Sequence, residues 1–323
     1  MRHWFTIRML AVGIATSPLA MLSASALAAD DFPVDPIEIA VHTSPGGGTD
    51  TTARMVALST QEQLDSNVFV QNKKGGGGSV AMSYVSGKPA DGYTLMAITP
   101  THLFTMLRGN APIGIDDIRG VVRATDDPII VMVRGDSDYA SIDDLIEAGR
   151  SGTIKWGGTQ IGGVDHIAAM SFANEADIRV SYVPFDSGAE FAAALSRGDI
   201  DAAGLNISET QDQIADGEFR PLAVMADERM GALPEVPTLA ENGMDVSFST
   251  VRGYVVLKDT PQERVDALEQ AMLDGMQSER YQEYLDGIGL DSASVAGSEA
   301  WDQQIRRMYE AGKVTMTDLG LLQ

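Results

Sequence analysis

Glycine clusters recur where strands give way to helices. Ser44-Pro45-Gly46-Gly47-Gly48-Thr49-Asp50 is one and Gly75-Gly76-Gly77-Gly78-Ser79 a second. Gly157-Gly158-Thr159-Gln160-Ile161-Gly162-Gly163 is a third, and Ser187-Gly188 opens a further helix. Such a turn exposes backbone N–H groups with no side chain in the way, and the helix start adds a partial positive charge. An anion there gains about 0.3–1 kcal/mol from each helix end, more when partly buried. A carboxylate or phosphate is thus held with few basic side chains. Each glycine also has a plainer use, permitting a tight strand-to-helix turn, and the sequence leaves both roles open.

Other chemistries find no anchor. There is no Gly-x-Ser-x-Gly elbow, no His-Glu-x-x-His and no Gly-x-x-x-x-Gly-Lys-Ser/Thr loop, and the first glycine cluster lacks dinucleotide-binding spacing. Beyond the first residues only His42, His102 and His166 remain, scattered rather than spaced as metal ligands. No carboxylate pair stands out by spacing. Neither an enzyme, a cofactor nor a metal is expected.

The 323 residues carry 46 Asp plus Glu against 23 Lys plus Arg, a formal net charge of −23, and no cysteine. Nucleic acid is excluded as the main partner, since phosphate backbones call for clustered Lys and Arg. Disulfides, iron–sulfur clusters and cysteine-rich zinc sites are excluded too. The acid excess opposes the approach of an anion and is screened over about 10 Å at 0.1 M salt. It reads as a hydrated exported surface, so recognition must rest on local dipoles.

Arg2, His3 and Arg8, an apolar run from Met9 to Leu22, and Ser25-Ala26-Leu27-Ala28 compose a secretory leader, residues 1–28, cleaved after Ala28. The run is short for a membrane span and is broken by Gly13 and Pro18. Export to the periplasm is the expectation.

The turns need elements to hold them. Ile37–His42 alternates as a strand does, with a helix over Thr51–Leu64. Val68–Val70, Tyr93–Ile98, Ile129–Val133, Ile154–Trp156, Arg179–Val183, Ala202–Leu205 and Pro221–Met225 read as further strands. Helices are expected after Gly78 and over Ser141–Ala148, Val164–Asn174 and Gly188–Leu195. Repeated strand–helix units predict an α/β fold with largely parallel sheets. Apolar stretches at Val121–Val133 and Val246–Leu257 divide the chain. Two α/β lobes joined by a two-strand hinge follow, 29–127 with 250–323 and 128–249, with a ligand cleft between. In the tail, Thr260-Pro261-Gln262-Glu263 reads as a capping box with proline at the first helical position. Val265, Leu268, Met272 and Met276 form one core stripe, and Trp301, Ile305 and Met308 another.

A set of motifs in fixed order resembles the periplasmic solute-binding proteins of tripartite tricarboxylate transporters, the Bug family. They are Pro45–Asp50 with Ala53-Arg54, Val70–Gly78, Pro89-Ala90-Asp91-Gly92-Tyr93-Thr94-Leu95, and Gly157-Gly158-Thr159 with Gly162 and His166. Val183-Pro184-Phe185, Arg220–Val224 and Leu233–Glu241 with Gly243 complete the set over nearly the whole mature chain. The resemblance implies a type II-like two-lobed protein, monomeric, that closes on a small di- or tricarboxylate or related acid. It would deliver the ligand to a membrane permease of one large and one small subunit. A sensor subunit reporting the same ligand to a two-component system is the alternative.

The resemblance also implies the contacts. Ser44, Gly46, Gly47, Gly48, Thr49 and Asp50 would cradle one carboxylate, with the loop of Thr99, Thr101 and His102 beside it. Thr159, Gln160, Gly162, Gly163 and His166 would come from the second lobe. Phe185, Asp186, Ser187 and Gly188 would face the ligand's other end, and Asn206 is a further contact. Many relatives carry Tyr-Lys-Gly where this chain has Phe185-Asp186-Ser187. An inward Asp186 would disfavour a fully ionised citrate and suit an amine, hydroxyl or neutral end. Arg252 is an alternative counter-charge.

Overall fold

The computed structural model describes Met1 and residues 32–322; the expected leader, Met1 apart, lies outside them. In chain order, β1 (Ile37–Val41), α1 (Gly48–Leu64), β2 (Val68–Asn72), α2 (Ser79–Ser86), β3 (Thr94–Ile98) and α3 (Pro100–Leu107) form a first run. The long strand β4 (Ile118–Arg134) leads through α4 (Ile142–Ser151) into a second run. This comprises β5 (Ile154–Gly158), α5 (Val164–Glu175), β6 (Val180–Pro184), α6 (Gly188–Arg197), β7 (Ala202–Asn206) and α7 (Ile207–Ala215). Then come β8 (Phe219–Val224), β9 (Ser249–Leu257), α8 (Gln262–Met276), α9 (Glu279–Gly287) and α10 (Ser298–Asp318).

The strands order as β2-β1-β3-β9-β4-β7-β5-β6, with β8 also paired to β4. β2-β1-β3 and β6-β5-β7 are both parallel trios in the same second-first-third order. An antiparallel strand borders each, β9 beside β3 and β4 beside β7. The chain thus repeats one βαβαβ design that no residue repeat announces. β1 and β7 are buried at every position, as strands covered on both faces must be. Even Glu38 is buried, receiving hydrogen bonds from Tyr84 Oη at 2.7 Å and Lys88 Nζ at 3.1 Å.

Two strands join the trios. β4 pairs with β9 from Ile118 to Pro128, then with β7 from Ile129 to Val133, and β9 runs back beside it. Three helices go unread in the sequence. α3 begins at Pro100, so the expected loop at Thr99–His102 is a helix start, with Thr99 at its N-cap. α7 buries only Ile207 and Thr210, and α9 only Tyr281 and Leu285, stripes too thin to show a helical period. The capping box expected at Thr260 does not form: α8 has Pro261 at its N-cap, and Thr260 Oγ1 has no partner. Proline takes the place where that cap's polar side chain would sit. Both tail stripes do pack inward: Val265, Leu268, Met272, Met276, Trp301 and Ile305 are buried, and Met308 packs against the core.

Candidate functional site

Within each parallel trio the strands direct their carboxyl ends the same way, the two trios running opposite to each other, and at those ends the following helices begin. The three glycine clusters, after β1, β2 and β5, and the helix starts at Thr99, Ser187 and Asn206, after β3, β6 and β7, are six such junctions.

The β1–α1 turn is built around Asp50. Gly46, at φ 83°, donates its N–H to Asp50 Oδ2 at 2.8 Å. Arg54 grips the same carboxylate with two bonds of 2.9 Å, and Asn72 Nδ2 donates at 2.8 Å to Oδ1 and at 3.0 Å to Thr43 O. Burial pushes the Asp50 carboxyl up, but the Arg54, Gly46 and Asn72 hydrogen bonds outweigh it and hold it below its usual range. Asp50 therefore shapes the cradle, and its oxygens are already taken. Gly47, the N-cap of α1, offers no side-chain cap, so the first-turn amides are left for a ligand or water.

Arg252 of β9 points at those amides. It is 4% exposed, and its Nη2 lies 2.7 Å from where a Cβ on Gly48 would stand. Its Nη1 is 3.7 Å from Asp127 Oδ2, whereas its Nε and both Asp127 oxygens lack a hydrogen bond. Burial pushes the Asp127 carboxyl up to about 6, partly offset by the charge of Arg252. From the other run, Glu209 in the first turn of α7 brings Oε1 to 3.4 Å from the same Gly48 position and touches the Cβ position of Gly188 with Oε2. Burial raises its pKa, against the pull of Arg252.

Two imidazoles floor the cradle. His42 and His102 meet edge to face, with centroids 4.2 Å apart. His102 Nδ1 accepts the Thr99 N–H at 3.1 Å, and the ring sits 2.5 Å from the Cβ position of Gly78. Burial first and Arg252 second bring His42 down to about 4. The sign follows. Unfolded, His42 gains its proton near pH 6.5; folded, only near 4, so stability is lost as pH falls through that window. His42→Asn should gain on the wild type by about 3 kcal/mol as pH falls from 7 to 4, at about 1.4 kcal/mol per pH unit. Chemical denaturation at the two pH values checks this.

The β5–α5 turn is held from within. Asp165 accepts from the Thr159 N–H at 2.9 Å and from Thr159 Oγ1, Tyr182 Oη donates to Thr159 O at 2.8 Å, and His166 Nδ1 accepts the Gly162 N–H at 3.2 Å. The turn meets the first run directly. Val164 donates to Thr101 Oγ1 at 3.3 Å, Arg108 Nη1 to Ile161 O at 3.3 Å, and Gln160 Nε2 is 3.5 Å from the Cβ position of Gly77.

The structure thus sets Gly48 and Gly188 against the same Glu209 carboxyl, Gly163 against Gln160 and Thr101, and Gly162 against Arg108. Ser187 is the N-cap of α6 with no side-chain bond. Others serve the frame. Thr49 is buried in the first turn of α1, and Phe185 packs toward Phe191 and Gly157. Asn206 donates to Asp127 O at 2.8 Å and Pro128 O at 3.3 Å and accepts from Thr250 Oγ1 at 2.9 Å, stitching β4 to β9. Asp186 is exposed, only its backbone N–H being bonded, to Glu190 at 3.2 Å. Asp186→Asn should leave ligand affinity unchanged, and isothermal calorimetry of the two proteins side by side checks this. Glu209 and Asp127 are absent from the sequence reading. Glu209 carried a positional signal, following the end of β7 as the glycine turns follow β1, β2 and β5, whereas Asp127 lies inside β4.

Two parallel trios joined by a pair of antiparallel strands, with the uncapped start of α1 turned to a buried arginine, are the build of a solute-binding protein. The chain belongs to the tripartite tricarboxylate transporter receptor family, whose model matches residues 52–312. It is 30% identical over 304 residues to the UPF0065 protein in the TAR-I ttuE-ttuC' intergenic region of Agrobacterium vitis, covering 91% of this chain and 87% of that one. Among solved structures it resembles a TctC solute binding protein from Polaromonas with no ligand, at 28% identity and TM-score 0.76, over 89% of this chain and 99% of that one. It also resembles R. palustris Rpa4515 with adipate, at 24% identity and TM-score 0.80, over 90% and 99%. These are binding proteins rather than enzymes.

Proposed function

We propose that this chain is a periplasmic receptor that captures a small organic carboxylate between two lobes, 29–127 with 250–323 and 128–249, and hands it to a two-subunit permease. The observation that carries the reading is the uncapped start of α1 with the buried Arg252 guanidinium directed at Gly48. Helix amides and one desolvated guanidinium suffice for a carboxylate, and charge-assisted hydrogen bonds are about twice as strong as neutral ones. The adipate in the R. palustris neighbour supports the ligand class. β4 and β9 are the natural hinge, being the strands that pair across the middle of the sheet. Closure is favoured when one ligand touches both lobes. Export fits the leader-like first residues, and the monomer is the working unit.

Thermal-shift and calorimetric screening against mono-, di- and tricarboxylates tests the reading. At a hundredfold excess over Kd a true ligand adds about 2.7 kcal/mol. No stabilisation by any organic acid would overturn it.

A further inference from the structure

Glu209 is an unexpected neighbour for a bound anion. Glu209 is exposed as a residue, yet its carboxyl end sinks into the gap, where desolvation raises its pKa and its two oxygens lie against the starts of α1 and α6, beside Gly48 and Gly188. Among the described residues its carboxylate has no hydrogen-bond or ion-pair partner. Arg252 across the gap pulls on it but makes no ion pair with it. Asp127 already shares Arg252, and Asp165 is held by Thr159. Arg252 itself, nine-tenths buried and more, keeps an unpartnered Nε and is aimed at the same gap. One side of the gap thus offers a guanidinium and free amides and the other an unneutralised carboxylate. A plain dicarboxylate would set like charge against Glu209; an ammonium would complete it.

We propose that the ligand is zwitterionic: its carboxylate lies on the first-turn amides of α1, Gly48 and Thr49, and on Arg252, and a cationic nitrogen, a primary ammonium, binds the carboxylate of Glu209. This rests on the carboxylate reading above and narrows its substrate class. It also relocates the acid of the site, from the exposed Asp186 to a residue of α7. A hydrogen bond to a charged group is strong enough to shift affinity by about tenfold or more.

Calorimetry on matched pairs tests it: succinate with aspartate, glutarate with glutamate, butyrate with γ-aminobutyrate. The wild type should prefer the ammonium-bearing member of at least one pair by about tenfold. Glu209→Gln should reverse that preference and Glu209→Asp keep part of it. Binding of the plain acids alone, or a preference that survives in Glu209→Gln, overturns the zwitterion and leaves the carboxylate reading standing. Failure of both members of every pair overturns the zwitterion, and the carboxylate reading falls with it only if no acid of the wider panel stabilises the protein.

Discussion

Arg252→Met is expected to lose at least about thirtyfold in affinity for the protein's carboxylate ligand, because truncating a buried charged partner costs about 2–5 kcal/mol of binding. It should also destabilise the fold in a pH-dependent way. Breaking a buried pair leaves its partner charged and alone, typically at about 3–5 kcal/mol. That partner is Asp127, whose carboxyl sits at about 6 even with Arg252 present and rises further without it. Protonation removes the problem. The folded protein then takes up a proton near or above pH 6 that the unfolded chain takes up only near 4, so stability falls as pH rises through that range. Arg252→Met should therefore lie close to the wild type at pH 5 and well below it at pH 8 in thermal unfolding. Calorimetry at pH 5, where the variant is folded, separates lost binding from lost structure. Retained affinity would remove Arg252 from the site.

The second large effect lies in the frame. Gly253 of β9 faces Trp301 of α10, and an added Cβ would come within 3.0 Å of three atoms of the indole ring. Trp301 is 1% exposed, and its Nε1 donates to Tyr254 O at 3.1 Å, so the ring cannot swing aside without losing that bond. α10 would have to lift off the sheet. Overpacking of this kind costs about 1–3 kcal/mol, and the position is at the upper end because the obstacle is a rigid ring. Each kcal/mol lowers Tm by roughly 2–4 °C at this size, so Gly253→Ala should melt roughly 6–12 °C lower. Gly253→Ala paired with Trp301→Phe should recover part of the loss in the same thermal scan. A Tm within a degree of the wild type would show that α10 yields freely.

What the sequence made legible was the set of junctions. Glycine clusters at Gly46–Gly48, Gly75–Gly78 and Gly157–Gly163 announce themselves because tight turns at strand ends need residues without a Cβ. The charged centre was harder. In β9 the residues Val251, Arg252, Gly253 and Tyr254 are all buried, so no alternation marks Arg252 as inward. Glu209 hides in α7, whose thin apolar stripe gives no helix signal and hence no first turn to place it on. Asp50 misleads in the other direction, lying beside three glycines. Its i, i+4 partner Arg54 was the clue that its carboxylate is already taken. The doubled βαβαβ order leaves no trace in the residues, since strand direction and pairing are set by packing rather than by identity.

A crystal structure grown with the best-stabilising acid bears most directly on the claim that a carboxylate is held between the start of α1 and Arg252. We predict a carboxylate group within hydrogen-bond distance of the Gly48 or Thr49 N–H and of the Arg252 guanidinium, with Gly188 or Glu209 contacting the ligand from the other side. A ligand bound elsewhere, with Arg252 still facing only Asp127 and the Gly48 and Thr49 amides untouched, would contradict it.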